Sequence, residues 1–186
     1  MDLLGIGDIY QAMSQVPYLR WLQWVVAVGA CVYVMALGRR FFSHQVGVLS
    51  LVFLVTCLPF LNFTMQLRGY CLSMFFAAVM VFHSWSAEQE KSWWHLAVAS
   101  LVTFGLLYTQ PSNAYFALSV GILAVWRTIW PADTEEKQVS FWRRRGAMVV
   151  AALTVGALLA LVAYSPVLGS LLDNRFVQAS PPNRMF

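Results

Sequence analysis

The feature that most constrains this chain is a series of apolar runs, each nearly free of charge and close to the length needed to cross a bilayer. Residues 21–38 are the first, eighteen positions without a charged side chain. A helix rises ~1.5 Å per residue, so a run of that length is just sufficient to span the ~30 Å hydrocarbon core. Further runs cover 46–61, 68–85, 95–109, 114–130 and 146–164. With 60% hydrophobic and 11% charged residues and a mean hydropathy of +0.65, an ordinary water-soluble domain is excluded. The expectation is an all-α, polytopic transmembrane helical bundle of about six membrane spans with short interfacial helices, forming a single membrane domain over 1–186. The net charge of +4 is too diffuse to suggest a nucleic-acid partner.

Before the first span, Asp8 followed by Ile9, Ala12, Met13 and Val16 predicts a short helix on the membrane surface, capped by Asp8 and ended by Pro17. Two aspartates precede any apolar run, so no cleavable signal peptide is expected. Arg39 and Arg40 stop the first span, and Pro59 lies near the far end of the second. Residues 58–70 (LPFLNFTMQLRGY) are then the most informative stretch. They break two apolar runs with a proline, an amide, a hydroxyl and an arginine, and predict a helical hairpin whose turn presents Asn62, Thr64, Gln66, Arg68 and Tyr70. An arginine where two spans meet either snorkels to the interface as an anchor or lines a cavity there. Arg68 is therefore the first candidate for function.

Residues 84–92 (SWSAEQEKS) read as a hydrophilic loop, followed by Trp93 and Trp94 as interfacial aromatics. Residues 109–113 (TQPSN) form a tight turn, and Arg127 is expected to snorkel toward the headgroups. Arg143, Arg144 and Arg145 precede the last span as a cytoplasmic anchor. Within that span Ala152, Gly156 and Ala160 make a small-residue stripe that lets another helix approach. Ser165 and Pro166 are expected to begin a separate short helix ending near Leu172. Lys and Arg number eight in the loops at 39–45, 84–94 and 127–145, against four on the opposite side, so the first set is assigned to the cytoplasm. Both termini and the turns at 62–70 and 109–113 then face outward, in a bacterial inner membrane.

The sequence Ala36-Leu37-Gly38-Arg39-Arg40-Phe41-Phe42, the span ending Leu58-Pro59-Phe60, the element Gln66-Leu67-Arg68-Gly69-Tyr70 and the later Leu107-Tyr108-Thr109-Gln110-Pro111 together resemble the membrane core of GT-C glycosyltransferases. The nearest group is the bacterial relatives of protein mannosyltransferases and of the aminoarabinose transferase that acts on lipid A. In that family an Arg-x-Tyr element opens a helix and a Tyr-Thr-His element ends a later one; here Gln110 stands where the histidine often is. The resemblance implies a polyprenyl-phosphate-linked sugar donor, an acceptor that is lipid, glycan or protein, and a site on the noncytoplasmic face. Arg68 would fork onto the donor phosphate, with Tyr70 and Gln110 as hydrogen-bonding neighbours. The family's catalytic acid sits after a first helix for which this sequence has no counterpart, and Asp2 and Asp8 do not form its paired-acid motif. No catalytic residue is assigned, and the chain is expected to be an internal segment with little transferase activity alone.

Other features carry plainer readings. Cys31, Cys57 and Cys71 are expected to be small buried hydrophobes. His44, His83 and His95 lie near span ends, too scattered for a metal site, and no cofactor is implied. Asn62-Phe63-Thr64 is a glycosylation sequon close to the membrane. Asp173 and Arg175 suggest a local ion pair. A transporter or flippase for a lipid-linked solute would call for broken helices and charges near mid-membrane, which the spans lack. A noncatalytic membrane scaffold is the remaining alternative.

Overall fold

A computed structural model describes residues 9–65, 69–90, 92–130 and 136–172. Their regular elements are all helical: α1 (Ile9–Phe41), α2 (His44–Thr56), α3 (Leu58–Met65), α4 (Tyr70–Gln89), α5 (Trp93–Thr109), a 3-10 turn (Pro111–Asn113), α6 (Ala114–Ile129) and α7 (Glu136–Leu172). Among the described residues, three segments are long and apolar enough to cross a membrane by themselves: Arg20–Phe41, Tyr70–Gln89 and Arg145–Pro166. The pair α2 and α3 meets the same test as one span bent by 64°.

The helices pack in the row α2, α1, α4, α5, α7, α6, with α4 and α7 also in contact and α3 lying against α1, α2 and α4. Met80 of α4, Leu106 of α5 and Val149 of α7 are fully buried at the centre. A second apolar cluster joins Ala27 and Ala30 of α1 to Phe60 of α3 and Cys71 of α4. Outward faces remain apolar, with Val25, Val28 and Val32 on α1 and Leu158, Leu161 and Val162 on α7 all exposed. Apolar surface of that extent suits lipid rather than water.

Several boundaries differ from those expected, each for a local reason. Pro17 does not end a surface helix, since α1 runs through it. A proline removes one helical hydrogen bond, and no glycine or second proline follows before the apolar run to reinforce the break. The Asp8 cap lies outside the described residues. The second span is not continuous over 46–61: the chain breaks at Cys57, whose φ and ψ of −73° and 112° are extended. The Pro59 ring would clash with the carbonyl of Val55 in a continuous helix but is tolerated in the first turn of a new one. The Cys57 N–H turns to the Leu54 carbonyl, which deprives the Phe53 carbonyl of its helical donor, and Thr56 Oγ1 donates to the carbonyls of Val52 and Phe53. The broken helix that the sequence reading found absent is thus present in α2 and α3.

The segment read as a loop at 84–92 is largely helix, because α4 continues to Gln89 with Ser84, Ser86, Ala87 and Glu88 buried. Ser165 and Pro166 do not start a new helix either, as α7 passes through both. The missing Pro166 N–H would leave the Val162 carbonyl without a donor, and Ser165 Oγ supplies one at 2.7 Å. The stripe does admit a neighbour: a side chain at Gly156 would collide with the Ser100 carbonyl of α5. The same holds at the first hairpin, where Gly38 and Gly47 bring α1 and α2 into backbone contact.

Alternation of the helices collects chain turns at two ends of the bundle. One end gathers Arg40, Gln89, Trp93 and Arg127; the other gathers Thr56, Gly69, Thr109 and Ala114.

Candidate functional site

At the second end the start of α4 is fastened to the end of α5. Gly69 lies beside Thr109, where a Cβ on the glycine would sit in ordinary van der Waals contact, 3.6 Å from the Thr109 carbonyl oxygen. One turn into α4, Ser73 Oγ lies 3.2 Å from Thr109 Oγ1. Thr109 Oγ1 donates to the Leu106 carbonyl at 2.9 Å, so in the shared contact Ser73 is the donor. Asn113 Nδ2 donates to both Ser73 Oγ and the Leu106 carbonyl, each at 2.9 Å. Pro111 opens the intervening 3-10 turn, where the missing N–H has no helical partner to lose. Across the same end Tyr164 of α7 donates its hydroxyl to the Tyr108 carbonyl at 2.6 Å.

Of the residues that the sequence singles out, Arg68 lies outside the described residues, as does Gln66. Tyr70 is the first residue of α4, half-buried, with its ring 4.9 Å from that of Phe63. Gln110 is half-buried and extended between α5 and the 3-10 turn. Tyr70 and Gln110 therefore share one end of the bundle, though no hydrogen bond joins them among the described residues. Asn62 and Thr64 fall within α3 rather than in a turn. Thr64 is buried and donates its hydroxyl to the Leu61 carbonyl at 2.7 Å, while Asn62 is exposed.

The opposite end holds a denser polar constellation. His83 Nδ1 lies 2.8 Å from His95 Nδ1, correcting the reading that these rings are scattered. His95 Nε2 reaches Glu90 Oε2 at 2.9 Å, the other Glu90 oxygen pairs with Arg40, and the Tyr33 hydroxyl is 3.4 Å from His83 Nε2. Arg127 does not simply snorkel outward: it donates to the buried Glu88 at 2.8 Å and lies 4.4 Å over the Trp85 ring, which stacks in turn on Phe41. Arg145 donates to the Glu90 carbonyl at 3.3 Å, bringing α7 into the cluster. Ser84 and Ser86 are buried nearby in α4 with hydroxyls that have no hydrogen-bond partner among the described residues.

The sequence held only a partial signal for the histidine contact: His83 and His95 lie on consecutive helices either side of residues 90–92, which places both at one end of the bundle, but helical phase decides whether the rings meet. Among the described residues no three His, Cys, Asp or Glu side chains come together to hold a metal ion. Of the cysteines, Cys71 is buried with its thiol 3.7 Å from the Gln23 carbonyl, whereas Cys57 at the bend is exposed, against expectation. Trp93 and Trp94 are exposed, in keeping with interfacial aromatics. Comparison with protein-family models, curated proteins and solved structures finds no match in any of the three.

Proposed function

We propose that this chain forms part of the membrane core of a glycosyltransferase that moves a sugar from a polyprenyl-phosphate carrier to a lipid, glycan or protein acceptor on the noncytoplasmic face. The observation that carries this reading is the packing of Gly69 on Thr109, which sets the residue following Arg68 beside the Tyr108-Thr109-Gln110-Pro111 element. On this reading Arg68, the neighbour of Gly69 in sequence, and Gln110 serve one phosphate, with Tyr70 at the head of α4. A guanidinium fork suits phosphate oxygens, and the apolar faces of neighbouring helices suit an isoprenoid tail.

Six crossings follow if α2 and α3 count as one broken span and α5 and α6 as short ones. At 17 and 16 residues these are about 25 Å long, a little under the hydrocarbon thickness, which tilt cannot extend but local thinning can match. The basic residues Arg39, Arg40, Arg127 and Arg145 mark the cytoplasmic end, so Tyr70 and Gln110 face outward in a bacterial inner membrane.

The test is labelling by a photoreactive polyprenyl phosphate in vesicles. Arg68→Ala lowers labelling about tenfold or more, the scale of a lost charge-assisted hydrogen bond, with membrane insertion unchanged. Equal labelling of both proteins removes the reading. The break between α2 and α3 favours a second one, a flippase for a lipid-linked solute, since broken helices line transporter sites. Carrier movement across the vesicle without sugar transfer would select it.

A further inference from the structure

The His83–His95 contact is flanked on both sides by partners that fix where its hydrogens lie. An ionised carboxylate only accepts, so His95 carries a hydrogen on Nε2 toward Glu90 at 2.9 Å. When His95 is neutral its Nδ1 is therefore an acceptor, and His83 must donate to it from Nδ1 across 2.8 Å. His83 Nε2 is then left to accept from the Tyr33 hydroxyl, 3.4 Å away. Every hydrogen bond in the chain points from Tyr33 toward Glu90.

That chain has a second complete arrangement with one more proton. His95 then bears hydrogens on both nitrogens and donates from Nδ1, while the His83 hydrogen moves to Nε2 and faces the Tyr33 oxygen. One N–H bond is lost at His83 Nδ1, and two form, at His83 Nε2 and His95 Nδ1, for a net gain of one proton. A second added proton puts N–H on both facing Nδ1 atoms, and the contact cannot survive. We propose that the His83–His95 pair is a proton-binding site at the Arg40 end of the bundle, holding one added proton between a phenol and a carboxylate.

The charged groups around the pair act in opposite senses, Glu90 favouring an added positive charge and Arg40 opposing it. Glu90 faces the pair and is paired with Arg40 of α1, while Arg145 of α7 meets its carbonyl. Glu88 of α4 is occupied by Arg127 of α6, so it does not compete for the imidazoles. The Tyr33 ring is half-buried and meets Phe75 and Phe82 edge-on. The Glu90 side chain is 42% exposed and gives water its access.

Solid-state NMR on the whole chain, ¹⁵N-labelled at histidine in phosphatidylcholine vesicles, reads the tautomers directly as the pH is lowered from 8 to about 4. Because the two rings share the proton, the signals of both move in one common step, His83 changing tautomer as His95 gains charge. In His83→Phe the His95 signal follows a new midpoint, shifted from that common step. Independent titration of the two rings in the unaltered protein overturns the proposal. So does a shift of both signals on adding one equivalent of zinc chloride at pH 8, which would make the pair a metal site instead.

Discussion

Arg127 of α6 and Glu88 of α4 form an ion pair at 2.8 Å in which the carboxylate is 7% exposed and the guanidinium 37%. The two partners thus pay unequal desolvation, and removing one is not equivalent to removing the other. Arg127→Ala strands a buried carboxylate, a change that typically costs about 3–5 kcal/mol, whereas replacing both partners by apolar residues is often neutral. We expect Arg127→Ala to lower the melting temperature in detergent more than Arg127→Met combined with Glu88→Leu. An equal loss in both proteins would show that the pair is spectator to stability.

The contact between Gly38 and Gly47 sets how closely α2 returns along α1. A side chain at Gly38 would overlap the Gly47 backbone, and backbone cannot move aside as a flexible side chain can. Gly38→Val should therefore destabilise by about 1–3 kcal/mol or more, the scale of overpacking. Gly121 of α6 has nothing within 4 Å of an added Cβ, so Gly121→Ala is the control and should be neutral or slightly stabilising through helix propensity. Chemical denaturation in micelles, comparing the two variants, reads the difference.

Sidedness can be tested with the native thiols. Cys57 at the α2–α3 bend is exposed and Cys71 is buried. A membrane-impermeant maleimide added from the noncytoplasmic side should modify Cys57 and leave Cys71 intact. A reporter fused after Gln138 should be cytoplasmic and one after Asn113 should not. The reverse pattern would place Tyr70 and Gln110 in the cytosol, away from any outward-facing donor.

How much of this was legible in the sequence depended on whether a single residue type or a pairing carried the message. Apolar runs located α1, α4, α5, α6 and α7 because a helix in lipid needs only its own hydrogen bonds. Gly156 disclosed a close helix contact because nothing larger fits there. Pro17 and Pro166 misled because helix continuity is decided by neighbours that can replace one lost bond, as Ser165 does for Val162. Glu88 looked like loop sequence since its partner Arg127 is 39 positions away, and burial of a charge is intelligible only with both members in view. At the proposed site, Tyr70 and Gln110 were assigned to one end by counting turns. The fastening of that end by Ser73 and Asn113 was invisible, since hydroxyls and amides in such positions are common in any turn.

That fastening gives the last prediction. Asn113 makes two donations from one amide, to Ser73 Oγ on α4 and to the Leu106 carbonyl on α5, so it holds the head of α4 against the end of α5. It has no part in the proposed phosphate contacts. Asn113→Ala loses both bonds, each worth about 1 kcal/mol net, and frees the Gly69 backbone to separate from Thr109. If Arg68 and Gln110 act on one phosphate only while those two backbones touch, photoreactive polyprenyl-phosphate labelling should fall several-fold in Asn113→Ala with Arg68, Tyr70 and Gln110 all intact. Asn113→Asp keeps an acceptor but loses both donations, so it should behave like alanine, whereas Asn113→Gln retains the amide and should recover part of the signal. Unchanged labelling in the alanine and aspartate variants would mean that carrier binding does not depend on the junction of α4 with α5.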